Sequence, residues 1–309
     1  MIDPVYLPFP IDQFKNHFAP VGDRPGEEVA RSHVLEYVEN SRRYRAFLEA
    51  NPDRRGLKFK CMQLPCQVEK DENFWTAACL LTYFYAPARV GYLAELLQTA
   101  FPAGMPLADL GSWQACLDGE LHLFFRTSLP SPSSYKRWLT AHLEQQQFIP
   151  YIRHAARRLG DDHFRDELEG PTEVDAILLN STNGFAVIFE AKVCSDASGS
   201  VTYDLSRDQI ARTIDVILDD NPRLAKPLST RRADRSLFVL LTPNCFKIRR
   251  SDRLYGWLMD AYGDPCSPKL EEKLPHRDGQ DWRAVKRRLG WLTWEDCQRI
   301  LPGSCGWIW

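Results

Sequence analysis

Apolar and polar positions change rhythm along this chain. From Ser32 to Ala50, "SHVLEYVENSRRYRAFLEA" places apolar residues at helical spacing. "NFWTAACLLTYFYA" and "RVGYLAELLQTAF" predict two more helices, split by Pro87. The most apolar run, Trp75 to Ala86, is about 12 residues. A bilayer span needs roughly 20, so a buried helix is the expectation. "ELHLFFRTSL" fits either a strand or a helix. "SLPSPSS", Ser128 to Ser134, then interrupts the pattern with two prolines and four serines, the composition of a boundary.

Beyond that stretch the pattern differs. A helix is expected over 135–159, capped by Ser133 or Ser134 and broken near Pro150. The strands "EVDAILLN" and "FAVIFEAKV" follow, then a helix, "LSRDQIARTIDVILDD", and a buried strand, "SLFVLLTP". Helices are expected at "RLYGWLMDAY" and over the whole of "WRAVKRRLGWLTWEDCQRIL". Helices alternating with strands in this order predict an α/β fold with a mixed sheet. A chain of 309 residues exceeds what one core usually holds. Two domains are therefore expected: residues 1–132, mostly helical and of unreadable role, and residues 133–309.

The hairpin carries the chemistry. "AVIFEAKV", Ala186 to Val193, runs an apolar strand into a glutamate and a lysine two residues apart. "STNG" joins this strand to the one before it. If Asn183-Gly184 alone forms the turn, Asp175 faces Lys192; if all four residues form it, Asp175 faces Glu190. Side chains alternate with period two, so either even-length loop puts Asp175, Glu190 and Lys192 on one face. Two clustered carboxylates repel and are costly to desolvate, and a divalent cation removes that cost. Mg²⁺ takes one or two carboxylates and leaves other positions for water and phosphate oxygens. A lysine alongside can orient water or stabilise charge growing on a phosphorane. The plainer alternative is a salt-bridge group at a sheet edge, worth about 0–1 kcal/mol when exposed.

Net charge is −2 and selects no partner. Its distribution says more. Arg223, Lys226, Arg231, Arg232, Arg235, Lys247, Arg249, Arg250 and Arg253 crowd one tract against Asp234 and Asp252, and "WRAVKRRLGW" adds a second basic cluster. Such a tract reads as a phosphate-tracking surface or as a solvated face. Nine scattered cysteines complete no zinc spacing, the closest pair being Cys61 and Cys66, so free thiols in a reducing cytoplasm are expected. The N-terminus, "MIDPVYLPFP", lacks the pattern of a secretory signal.

Asp175 followed by Glu190-Ala191-Lys192 at a strand end resembles the PD-(D/E)XK nuclease superfamily, over about residues 135–245. The resemblance implies a mixed four-stranded, restriction-endonuclease-like sheet flanked by helices, here preceded by a mostly helical N-terminal domain. It implies that Asp175 and Glu190 bind Mg²⁺ or Mn²⁺ and that Lys192 assists the nucleophile. Gln209 fits the glutamine many members carry on the next helix, although Ser206 and Gln209 also form an S-x-x-Q capping box. Glu144 is a further candidate acid, the counterpart of a glutamate some members carry on the first helix. Pro171 stands four residues before Asp175 rather than next to it, a departure from the motif. A second match, Glu271 to Lys273, lies in a polar stretch with no strand before it.

The function so implied is metal-dependent hydrolysis of nucleic acid, DNA before RNA, with defence against foreign DNA as the commonest family role. Candidate phosphate contacts are Arg212, Lys247, Arg249 and Arg250. No membrane partner is expected, and the sequence leaves the oligomeric state open, a homodimer being one option. The competing readings are a catalytically silent nucleic-acid-binding module on the same fold and an interaction scaffold with a fortuitous motif.

Overall fold

The computed structural model describes residues 11–20, 24–30, 49–50, 72–142, 169–199 and 207–306. Most of the helix expected at Ser32 to Ala50, together with Cys61, Cys66, Glu144 and Ser206, lies outside the described residues.

Strand β3 (Ala186–Ala191) organises the rest. Each of its six residues is buried. Val187, Phe189 and Ala191 enter one core, Ala186 and Ile188 the other. An apolar run of this kind is stable only where both faces of a sheet are covered. Burying each large side chain contributes about 1.5–3 kcal/mol. Among the described residues the sheet has five strands, one more than expected: β1 (Leu121–Leu129), β2 (Thr172–Asn180), β3, β4 (Ser236–Thr242) and β5 (Leu289–Thr293), in that spatial order. β1, β2 and β3 run antiparallel in sequence, while β4 and β5 are parallel to β3. The fold is thus α/β with a mixed sheet flanked by helices.

One face is covered by α1 (Glu72–Tyr85), α2 (Arg89–Ala100) and, after β5, the helix Trp294–Ile300. Leu81, Leu96, Leu97 and Trp294 pack there against Phe189, Val239 and Leu292. The other face is covered by α3 (Gln209–Ile217), α4 (Leu254–Gly263) and α5 (Trp282–Arg287), through Ile210, Ile214, Leu258, Tyr262 and Val285. Sheet and cores therefore draw on residues from both sides of the 132/133 boundary: β1 precedes it, yet pairs with β2 along its length.

Two local readings need correction. The helix after the serine-proline stretch is described as Ser133–Ala141, and Pro132, not a serine, stands at its N-cap. The segment expected as one helix from Trp282 onward is helix, strand, helix. Arg288 ends α5, Leu289 to Thr293 join the sheet edge, and Thr293 starts the last helix through a capping box with Asp296. Gly290 lets β5 into that place. A Cβ on it would sit 2.6 Å from the Phe101 ring.

Among the described residues no helix is long and apolar enough to cross a membrane. The described cysteines are free, with Cys79, Cys116, Cys297 and Cys305 buried and Cys194, Cys245 and Cys266 exposed.

Gly290→Ala is expected to destabilise the chain by about 1–3 kcal/mol in a denaturant titration, because a methyl group must displace an aromatic ring in a close-packed core. Adding Phe101→Leu should recover part of the loss.

Candidate active site

The hairpin register is the one in which all four residues Ser181 to Gly184 form the loop. Asn180 N–H donates to the Phe185 carbonyl at 2.8 Å, and the ladder pairs Leu179 with Ala186 and Ala176 with Phe189. Gly184, at φ +76°, closes the turn where a Cβ would strike Arg232 and the Thr230 carbonyl. The ladder ends at Ala176 and Phe189, and Asp175 comes next on β2 as Glu190 does on β3. There the Ala191 N–H donates to Asp175 Oδ2 at 2.7 Å.

Glu190, the fifth residue of β3, and Lys192, just past its end, are both buried; they are 2 % and 5 % exposed. Lys192 Nζ donates to Glu190 Oε1 at 2.8 Å, and Gln209 Nε2 donates to the same oxygen at 2.5 Å. The backbone of Lys192 is fixed from two sides. Its N–H bonds the Leu241 carbonyl at 2.8 Å, and its carbonyl accepts the buried Trp294 indole N–H at 3.0 Å. Asp175, Glu190, Lys192 and Gln209, four of the residues singled out in the sequence, thus meet at one end of the sheet.

Gln209 is the first residue of α3. Asp208 is the N-cap, accepting the Ala211 N–H at 3.0 Å, so the capping box with Ser206 does not account for the glutamine. Its amide bridges Glu190 and the Ser198 N–H.

A third carboxylate joins the cluster from the N-terminal half. Glu72, the first residue of α1, accepts the Val193 N–H at 3.1 Å and the Ser195 hydroxyl through one oxygen. Its other oxygen lies 3.8 Å from Lys192 Nζ. Sequence reading missed it. A glutamate at a helix start is ordinary for its effect on the helix dipole, and no local pattern ties residue 72 to residue 192.

The electrostatics follow from this crowding. Burial, then the charge of Glu190, pushes the Asp175 carboxyl up from 3.8 to about 8, against the pull of Lys192 and the Ala191 N–H. Burial also raises Glu190, partly offset by Lys192. Burial opposes the Lys192 ammonium, but Glu190 and Asp175 outweigh it and hold its pKa above the ordinary value. Lys192 is therefore a fixed cation.

Among the described residues no group of three or more His, Cys, Asp or Glu is arranged to hold a metal ion. Two carboxylates are nevertheless a donor set that Mg²⁺ accepts, with water and phosphate completing its shell. Asp175 and Glu190 each keep one oxygen with no hydrogen bond among the described residues. The donor set fits.

The basic residues disperse. Arg212 donates to Glu169 at 2.8 Å and to the carbonyls of Gly170 and Pro171, so it fastens the approach to β2. Lys247 bonds the Trp291 carbonyl at 2.8 Å. Arg250 pairs with Asp260 and lies over the Trp291 ring. Arg231 is buried against the carbonyls of Ile217 and Asp219, the Ser236 hydroxyl and Asn221. Arg232 pairs with Asp234, and Arg235 with Asp109. Arg249 is exposed, close in sequence to Ile248, itself 73 % exposed.

No protein-family model, no curated protein and no solved structure matches this chain.

The raised Asp175 pKa has a sign. A carboxyl whose pKa is higher in the folded chain stabilises it fully below the ordinary carboxylate range, and that contribution is lost as pH rises through about 8. In chelator, wild type should therefore lose stability between pH 4 and 8, and Asp175→Asn should flatten that loss. At pH 8 the variant should be the more stable by about 1–2 kcal/mol in urea titrations.

Proposed function

We propose that this chain is a divalent-metal-dependent nuclease that hydrolyses phosphodiester bonds, in DNA before RNA, on a restriction-endonuclease-like fold. One observation carries the reading. Among the described residues, Glu72, Asp175 and Glu190 lie near one ammonium, Lys192, so that with all three ionised the cluster carries two negative charges in excess, the charge one divalent cation balances in place of the protons that burial favours.

The strand order supports it: an aspartate on one strand of a hairpin meets Glu-Ala-Lys on the next, and a helix then leads to a parallel strand. Asp175 and Glu190 would hold Mg²⁺ or Mn²⁺. The ion, when bound, supplies Lewis-acid polarisation of the phosphate and neutralises charge in the transition state. Gln209 holds Glu190 in orientation, and Glu72 fixes the turn after Lys192. Lys192, kept protonated by its neighbours, cannot accept the proton of an attacking water in that state. Its work is to orient that water and stabilise negative charge on the phosphorane oxygens.

A silent nucleic-acid-binding module is the second reading. The oxygen Glu190 Oε1 already serves both Lys192 and Gln209, and that observation favours it.

The two separate by experiment. Wild type should bind Mn²⁺ in calorimetry and nick labelled DNA. Asp175→Ala and Glu190→Ala should lose both properties. Lys192→Ala should bind Mn²⁺ at least as well as wild type, since a repelling cation is gone, yet cleave about 10²-fold more slowly. Wild-type cleavage by Lys192→Ala would reduce the lysine to an ion-pair partner, and metal-free, cleavage-free wild type would leave the silent module.

Arg249→Ala should lower the slope of log affinity against log salt by about 0.7–0.9 for one lost phosphate contact. Binding assays across a salt series read this directly, and an unchanged slope would return Arg249 to the solvated surface.

A further inference from the structure

β1 leaves an extended path at one residue. Arg126 has φ +45°, the single non-glycine residue of positive φ among the described residues. It falls at the one gap in the β1–β2 ladder, which runs from Leu121↔Asn180 to Leu129↔Thr172 and omits only Arg126 with Asp175. The strands change faces there. Phe125 and Ala176 pack in one core; Leu129 and Val174, of the same parity, pack in the other. The kink frees Asp175 from the ladder and lets its carboxylate meet the Ala191 N–H.

The bend needs positive φ, which glycine adopts without strain and an arginine does not. The backbone therefore gains nothing from an arginine, and what the position holds is its side chain. That side chain is partly exposed and donates to Glu173 at 3.0 Å. Arg126 lines a small cleft with Asp175 and Asn73, the neighbour of Glu72. It flanks Asp175 from β1, as Glu190 flanks it from β3.

We propose that Arg126 is a phosphate-binding residue of this same site, its guanidinium contacting a non-bridging oxygen of the nucleic-acid backbone beside the scissile bond. The proposal rests on the nuclease reading. A guanidinium matches phosphate oxygens in two-point geometry. Glu173, one of its partners, has a side chain 48 % exposed, and an ion pair of that exposure is weak enough for a phosphate to compete with.

The test compares wild type, Arg126→Gly and Arg126→Lys. The readouts are melting temperature, Mn²⁺ calorimetry, cleavage of a 5′-labelled DNA oligonucleotide in single- and double-stranded form, and binding across a salt series. Glycine keeps the kink and removes only the side chain. Arg126→Gly should melt within about 2 °C of wild type and bind Mn²⁺ within about 2-fold. It should cleave about 10–100-fold more slowly, mainly through KM, with its salt slope reduced by about 0.7–0.9. Arg126→Lys should restore the slope and part of the rate. Wild-type cleavage and slope in Arg126→Gly would overturn the proposal. So would a large fall in its melting temperature that Arg126→Lys repairs together with the rate, because that pattern marks a structural ion pair. If wild type itself takes up no Mn²⁺ and cleaves neither form, the nuclease reading fails and Arg126 falls with it, an outcome the wild-type isotherm identifies first.

Discussion

An ion pair buried at the end of an apolar strand is the constraint around which this molecule is arranged. Glu190 near the end of β3 and Lys192 just beyond it stay almost wholly out of solvent. Desolvating two charges costs several kcal/mol per ion, and mutual attraction repays it only with good geometry and further hydrogen bonds. The surrounding elements supply them. Gln209 comes from the start of α3, Glu72 from the start of α1, and the Trp294 indole from the last helix. Three helices from distant parts of the sequence thus converge on two residues. Moving α1 or α3 would leave a buried charge less compensated, and moving the last helix would free the Lys192 backbone.

What was legible in the sequence follows the range of the interactions. The strands at 172–180, 186–191 and 236–242 and the helix at 209–217 were readable because their apolar patterns and turn residues are local. So was the meeting of Glu190 and Lys192, two residues apart on one strand. Glu72 was not readable, because its partner lies 120 residues away and nothing nearby distinguishes it from a helix-starting acid. β5 was hidden for another reason. Five strand residues lie between two helical stretches of strong charge pattern, and only Gly290, which admits the Phe101 ring, betrays the packing. Glu144 lies outside the described residues.

The basic tract shows where counting charges misleads. Nine cations against two acids suggests a patch, yet sequence neighbours need not be surface neighbours. Arg231 points inward to carbonyls, Arg235 crosses to Asp109, and Arg250 closes on Asp260. These partners come from other elements, so much of the local positive charge holds loops, while Arg223, Lys226 and Arg249 stay exposed. An interaction scaffold no longer leaves this tract unexplained, and the case for nucleic acid passes to the acid cluster itself.

That cluster is best judged against a second buried one in the same fold. Glu169, Asp215 and Asp219 meet Arg207, Arg212 and Arg277, three anions against three cations, with His276 also bonded to Asp215 at 2.9 Å. Burial alone would raise Asp215, but His276, Arg207 and Arg277 hold its carboxyl below the ordinary value. Glu72, Asp175 and Glu190 have comparable crowding and one lysine, and Asp175 is driven upward. Among the described residues one acid group is matched cation for anion, while the other has one lysine for three acids, and ionising all three there costs stability. Perturbed groups of this kind concentrate where chemistry is done. The deficit is the physical reason to look for a cation between Asp175 and Glu190, independently of any resemblance in the motif.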